Sequence, residues 1–310
     1  MFKLNFKKTI KKSIKAIYSE QLDKKIILEA KQLGIKNNKF KKIDNLSNIE
    51  FQVFSQWGED GIIDWMINKI KKMPKNFLEI GTQDYKESNT RYLLINNNWD
   101  GYLIEGNKDD VKLIKKDRVF WKYNLKIQNK YINTSNILKT MRDLNIPNKI
   151  GLISIDIDGI DYWILKKIKF LKPVIFICEF NPLFGYVDSL TVPNKKNFNR
   201  NNEHYSNLYF GASLKAFQNL LRDHYIFVGT NSAGNNAFFI KNSHSKFIKG
   251  KIKEFKVFKS KFRESRNRNK HLNYLDRFDS LKKIKNKKII DLKKNTLNTI
   301  NEKLIQKIRK

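Results

Sequence analysis

Cysteine is almost missing from this chain of 310 residues. The single thiol, Cys178 in "VIFICEFN", has no partner, which excludes a disulfide framework and points to a reducing compartment. Within an apolar run it reads as a small buried hydrophobe. Long hydrophobic stretches are also lacking. Nothing approaches the length of a membrane span, and "MFKLNFKKTIKKSIKAI" has no continuous apolar core of a signal peptide, so a cytoplasmic protein is expected. Histidine is scarce, His and Cys form no cluster, and zinc is accordingly disfavoured. There is no internal repeat and no G-x-G-x-x-G run.

Positive charge is abundant, with a formal net charge of +33. Such an excess ordinarily implies nucleic acid, an anionic membrane face or an acidic substrate as partner. Here the chain is saturated with Lys, Asn, Ile and Phe, a mixture that genomic compositional bias produces by itself, so the charge carries little weight. With 40% hydrophobic and 13% aromatic residues the chain can bury one good core plus extensions.

Three regions follow. Residues 1–50 are lysine-rich and helical in pattern, with Phe6, Ile10, Ile14 and Ile17 on one face, as in a helix lying on a membrane surface or packed on its own domain. Residues 51–245 alternate strand-like and helix-like segments. Residues 246–310 are again basic and mainly helical in pattern, with Ile289, Leu292, Thr296, Ile300, Leu304 and Ile308 at helical spacing. "KSKFRESRNRNKH", residues 259–271, reads as a polar linker or an arginine-rich strip for phosphates.

In the middle region the runs "NFLEIG", "GYLIEGN", "RVFWKYN", "GLISIDID" and "PVIFICEFN" are near-continuously apolar and separated by helix-length segments. One of these segments places Ile62, Ile63, Met66, Ile67 and Ile70 on a common face. This pattern predicts a doubly wound, Rossmann-like α/β fold with a mostly parallel sheet covered on both faces. "YIFVGT" and "NAFFIKN" are joined by too few residues for a crossover helix and predict a closing antiparallel hairpin, giving a seven-stranded sheet. That layout is the one found in class I S-adenosylmethionine-dependent methyltransferases.

In such sheets ligands bind outside the carboxyl ends of the strands. Those ends offer Glu79, Gly81 and Asp84, then Glu105, then Asn124, then Asp156 and Asp158, then Glu179 and Asn181. A pyrophosphate wants glycine-rich backbone donors, whereas "EIGTQDYKESN" offers one glycine followed by acids, so NAD is disfavoured. A sulfonium cofactor carries positive charge and no phosphate, and carboxylates are compatible with it. Glu105 is placed to take both ribose hydroxyls, and Gly81 to let the backbone approach.

"FLEIGTQDYKESNTRYLL", "NNWDGYLIEGN", "LISIDIDGIDYWIL" and "VIFICEFN" together resemble the FkbM-type branch of class I methyltransferases over roughly residues 51–242. The resemblance implies methyl transfer from S-adenosylmethionine to hydroxyls of sugars or glycans, such as a surface polysaccharide or its precursor, with Glu79, Gly81, Glu105 and Asp156 lining the cofactor pocket. The first motif lacks further glycines, and Asp158 stands where the family more often shows glutamate.

A sugar hydroxyl needs a base or a cation to become nucleophilic. Asp158, Glu179 and Asn181 resemble the magnesium ligands of catechol O-methyltransferase, and their hard oxygens suit Mg²⁺. Alternatively Asp158 and Glu179 bind sugar hydroxyls or cap the helix beginning near Ile160. Asp161 reads as a cap. The long segment 182–209 reads as a substrate lid, in which His204 is a candidate base or a surface residue, and Tyr186, Tyr205 and Tyr209 are sugar-stacking or packing residues. Gln56, Glu59 and Asp60 are expected to lie exposed at a helix start, either closing over the cofactor or simply capping the helix.

Partners expected from this reading are a glycan, nucleotide-sugar or lipid-linked sugar, with basic flanks near an anionic inner membrane face. Two alternatives stay open. "EFNPLFG" is similar to a motif with which nucleic-acid methyltransferases hold a flipped base, and the basic ends also fit a non-catalytic polyanion- or membrane-binding protein.

Overall fold

The computed structural model describes residues 2–261 and 263–309, with side chains described for residues 21–261 and 263–308. Seven strands form the main sheet: β1 (Asn76–Ile80), β2 (Asp100–Glu105), β3 (Leu125–Asn129), β4 (Leu152–Ile155), β5 (Ile175–Glu179), β7 (Tyr225–Thr230) and β8 (Asn236–Lys241). Between the fifth and seventh comes the short β6 (Leu190–Thr191). Their order is β3-β2-β1-β4-β5-β8-β7, and β8 runs antiparallel to both its neighbours while the other six run parallel. This is the doubly wound layout with a closing antiparallel hairpin.

The period-two alternation of a strand explains why the apolar runs are nearly continuous. Leu78, Ile80, Ile104, Ile153, Ile155 and Phe176 pack in one core. Phe77, Leu103, Leu152, Ile175 and Ile177 point the other way into a second. Strand order reverses between β1 and β4, opening a crevice at their carboxyl ends.

The third strand corrects the reading of "RVFWKYN". Arg118–Lys122 is a short helix capped by Asp117, whose side chain accepts from the Val119 amide, and Trp121 is exposed. The strand is the following "LKIQN". Asn124 therefore sits at its entry, holding Asp100 with its side-chain amide, at the opposite end from the crevice.

The C-terminal region is also corrected. Ile289 lies in β9 (Lys288–Asp291) and Thr296 in β10 (Thr296–Thr299), which form an antiparallel hairpin; only Leu304 and Ile308 belong to a helix, Glu302–Arg309. Asp291 accepts from the amides of Lys293 and Lys294, and Asn295 takes a left-handed φ of 54°, so a turn interrupts what spacing alone presents as one helix. β9 also pairs with β6, making a separate three-stranded antiparallel sheet that ties the 246–310 region to the insert after β5. At the other end of the chain the helix Phe2–Lys39 docks on the helix Glu59–Lys69. Its face of Phe6, Ile10, Ile14 and Ile17 lies outside the residues with described side chains. Among the described residues no helix is long and apolar enough to cross a membrane.

The docking is close enough that a Cβ on Gly34 would lie 2.7 Å from an Asp64 carboxylate oxygen. Burial raises Asp64 to about 6, against the lowering effect of its amide neighbours Asn38 and Asn68. A carboxyl raised above its unfolded value stabilises the fold below pH ~4, and that contribution is lost as pH rises through about 6. Asp64→Asn is therefore expected to raise the unfolding free energy at pH 8 by roughly 1–3 kcal/mol and to change it little at pH 4, as read by denaturant titration at both pH values.

Candidate active site

One cavity of ≈ 400 Å³ fills the crevice at the carboxyl ends of β1, β2, β4 and β5. Its walls bring together Glu79, Gly81, Glu105, Asp156, Asp158 and Glu179, residues distant in sequence. The turn after β1 makes this possible. Gly81 has φ +83°, and a Cβ there would lie 1.7 Å from the carbonyl oxygen of Asp156 at the end of β4. Any side chain would push the two strand ends apart.

Glu105 fixes the same turn from the other side. Its Oε2 accepts from the amides of Thr82 and Gln83, both at 2.9 Å, and Oε1 accepts from the Asn107 amide at 2.7 Å. The carboxylate is thus held rigidly at the end of β2, with a lone pair of Oε1 left for a ligand. Glu79 supports the loop that follows. It is buried, with Oε2 accepting from the Ser88 hydroxyl at 2.6 Å and from Thr90, and Oε1 from the Asn89 amide at 3.1 Å; burial raises its pKa.

On the β4–β5 side, carboxylate oxygens of Asp156, Asp158 and Glu179 lie within 4.8 Å of one another. Burial raises both Asp156 and Glu179 above the ordinary carboxylate range, and neighbouring carboxylates raise them further. The Oε2 atom of Glu179 is buried without a hydrogen-bond partner. Asp161 organises this turn: it is buried, and its two oxygens accept from the amides of Ile157 at 2.8 Å and Gly159 at 2.9 Å. That clasp lets Asp158 take a left-handed φ of 54°.

Several expected residues lie elsewhere. Asp84 is outside the cavity lining, bonded to the amide and ammonium of Lys86. Asn181 is buried with its amide used internally: Nδ2 donates to the carbonyls of Leu208 and Phe210, and Oδ1 accepts from the Leu183 amide. These bonds of Asn181 also occupy the amide that a base-holding motif would present. Asp156, expected to line the cofactor pocket, lines the cavity and stands in the acid cluster where Asn181 was expected. His204 does not line the cavity either; it bonds Ser206 and stacks on Tyr205 with ring centres 4.4 Å apart. Tyr209 donates to the Lys288 carbonyl, and Tyr186 packs against Phe180.

Glu59 and Asp60 are buried rather than exposed. Asp60 accepts from the Val53, Phe54 and Ser55 amides, and Glu59 from the side chains of Asn231 and Asn236. These bonds hold the loop that brings Gln56 to the cavity.

Sequence reasoning missed Arg200 and Glu264. Arg200, from the insert after β5, forms ion pairs with Asp158 and with Glu264, and its guanidinium lies 3.8 Å above the Phe210 ring. Glu264 comes from the segment expected to be a linker. The only local hint was an acid inside an arginine-rich run. Tyr131 also lines the cavity and donates its hydroxyl to the Phe198 carbonyl, closing the wall between the β3 exit and the insert.

No protein-family model matches this chain, and no curated protein does. Solved structures similar to it include TehB from Haemophilus influenzae, at 13% identity over 55% of this chain and 58% of that one, with a TM-score of 0.35. The CurJ carbon methyltransferase shows 11% identity over 59% of this chain and 52% of that one, with a TM-score of 0.37. An O-methyltransferase family 2 protein from Planctomyces limnophilus, in complex with apigenin, shows 14% identity over 56% and 52%, with a TM-score of 0.33. The chain spans little more than half the length of TehB.

Gly81→Ala is expected to lower thermal stability by about 2 kcal/mol or more, because the added methyl meets backbone that cannot rotate away. A melting curve by circular dichroism measures this; an unchanged midpoint would show that the β1 and β4 turns can separate freely.

Proposed function

We propose that this chain is an S-adenosylmethionine-dependent O-methyltransferase of the FkbM type, acting on a hydroxyl of a sugar or glycan. The observation that carries the proposal is the rigid Glu105 carboxylate at the end of β2, beside a single-glycine turn and within an acid-lined cavity. A diol, such as the ribose edge of the cofactor, suits that carboxylate. A pyrophosphate does not suit the cavity, because Glu79, Glu105, Asp156, Asp158 and Glu179 all face it and no glycine-rich nest of amides answers them. The cavity size lies within the roughly 300–1,000 Å³ of small-molecule sites. S-adenosylmethionine, when bound, supplies an electrophilic methyl group whose positive sulfonium these carboxylates favour.

The chain's own residues then have separable tasks. Glu105 and the Gly81 turn orient the cofactor, while Glu79 braces the loop above it. Asp158, partly exposed and held by Arg200, is the carboxylate open to the proton of an acceptor hydroxyl. Arg200 and Tyr131 with Phe198 wall the acceptor side and limit its access to water.

Mg²⁺ forms the second part of the proposal. Asp156, Asp158 and Glu179 would hold it, since they offer only hard oxygens and Glu179 Oε2 has no other partner. The ion would supply positive charge at the acceptor oxygen.

Calorimetric titration with S-adenosylhomocysteine, with and without Mg²⁺, tests this reading. Binding that weakens by about a hundredfold, or roughly 2.7 kcal/mol, in Glu105→Ala is expected. The absence of binding under every condition would remove the cofactor assignment.

A further inference from the structure

Arginine is rare in this lysine-rich chain, yet four of its ten arginines, Arg263, Arg266, Arg268 and Arg277, fall within fifteen residues. Compositional bias toward lysine does not produce such a cluster. Arginine differs from lysine in its planar fork of donors, which matches phosphate and carboxylate oxygens.

The fold gives this cluster a place. A niche of ≈ 40 Å³ lies next to the main cavity, lined by Arg263, Arg277, Ser280 and the apolar side chains of Leu183, Leu208 and Phe210. Glu264 lines both cavities, and its ion pair with Arg200 over the Phe210 ring forms the partition between them. Arg263 donates one bond to the Tyr274 carbonyl and Arg277 one to the Pro182 carbonyl. These bonds, together with the faces of Tyr274 and Tyr186, hold the two guanidinium groups in place. Among the described residues neither has a carboxylate within ion-pair distance, and both are exposed. Two oriented forks without an ion pair share this lining with Ser280, and the one carboxylate beside them, Glu264, is engaged by Arg200, which makes the niche suited to an anion.

We propose that this niche is the phosphate subsite of the acceptor: Arg263 and Arg277 bind the phosphoryl or diphosphoryl group of a phosphorylated or nucleotide-linked sugar whose reacting hydroxyl lies across the Arg200–Glu264 partition in the main cavity. The inference rests on the methyltransferase reading for the identity of the reacting group. The anion site itself does not depend on it. The C-terminal segment accordingly sets acceptor specificity, and the insert and the β9–β10 hairpin hold it against the domain.

Titration of the full-length protein with inorganic pyrophosphate at physiological ionic strength tests the subsite. Arg263→Gln/Arg277→Gln is expected to weaken binding by about tenfold or more, whereas Lys115→Gln/Lys116→Gln, which removes the same charge from a distant helix, leaves it unchanged. Arg263→Lys/Arg277→Lys keeps the charge and is expected to fall between wild type and the glutamine variant, which separates loss of the fork from any loss of fold. Equal weakening in the two glutamine variants, or no pyrophosphate binding by the wild type, overturns the subsite. S-adenosylhomocysteine titrated into the same proteins is expected to bind all of them alike. Its failure to bind the wild type while pyrophosphate still does so would remove the methyltransferase reading and leave the anion subsite standing.

Discussion

The turn after the first strand reaches the end of the fourth only because residue 81 carries no side chain. From that contact the rest of the site follows. With β1 and β4 drawn together, Glu105 can grip the Thr82 and Gln83 amides, and the acids ending β4 and β5 face the same cavity. Glu79 and Asp161 extend the arrangement by fixing the loops on either side through hydroxyls and backbone amides rather than through counter-charges. A buried carboxylate satisfied by amide donors is a rigid device, since it cannot move without leaving several polar groups unpaired.

The electrostatics divide the molecule in two. The cavity at the strand ends is lined by carboxylates, although the chain as a whole is strongly basic. Burying several acids together is unfavourable unless hydrogen bonds, protons or a cationic ligand offset their repulsion. Here burial and the repulsion between neighbouring carboxylates raise Asp156 and Glu179, and Arg200 offsets Asp158. Positive charge instead gathers outside the partition, on the C-terminal segment. A cationic cofactor on one side and an anionic acceptor on the other is the arrangement that this separation favours.

Much of the fold was legible because parallel strands buried on both faces leave near-continuous apolar runs, and the strand-end acids of "FLEIG", "LIEGN", "IDID" and "ICEF" follow them directly. "RVFWKYN" misled because its aromatic and β-branched content suits a strand, whereas Asp117 caps a helical turn there and Trp121 faces solvent. The hairpin at Ile289 to Thr299 misled for a different reason: two strands and a turn sampled apolar residues at a spacing a helix also has. Arg200 and Glu264 were out of reach, because local pattern reports burial and backbone state, and their pairing depends on a short helix and an irregular segment, 64 residues apart, being folded against each other. His204 and Asn181 had the right chemistry and the wrong surroundings, their polar atoms being used by neighbouring hydroxyl and backbone groups.

The most direct test of the account is a crystal structure of the protein with S-adenosylhomocysteine. The account predicts the ribose hydroxyls on Glu105, the Gly81 turn against the ligand backbone, and the sulfur facing Asp156, Asp158 and Glu179, with Arg200 and Glu264 closing the far wall. Ligand density outside the strand-end cavity, or a ribose that leaves Glu105 unengaged, would contradict it.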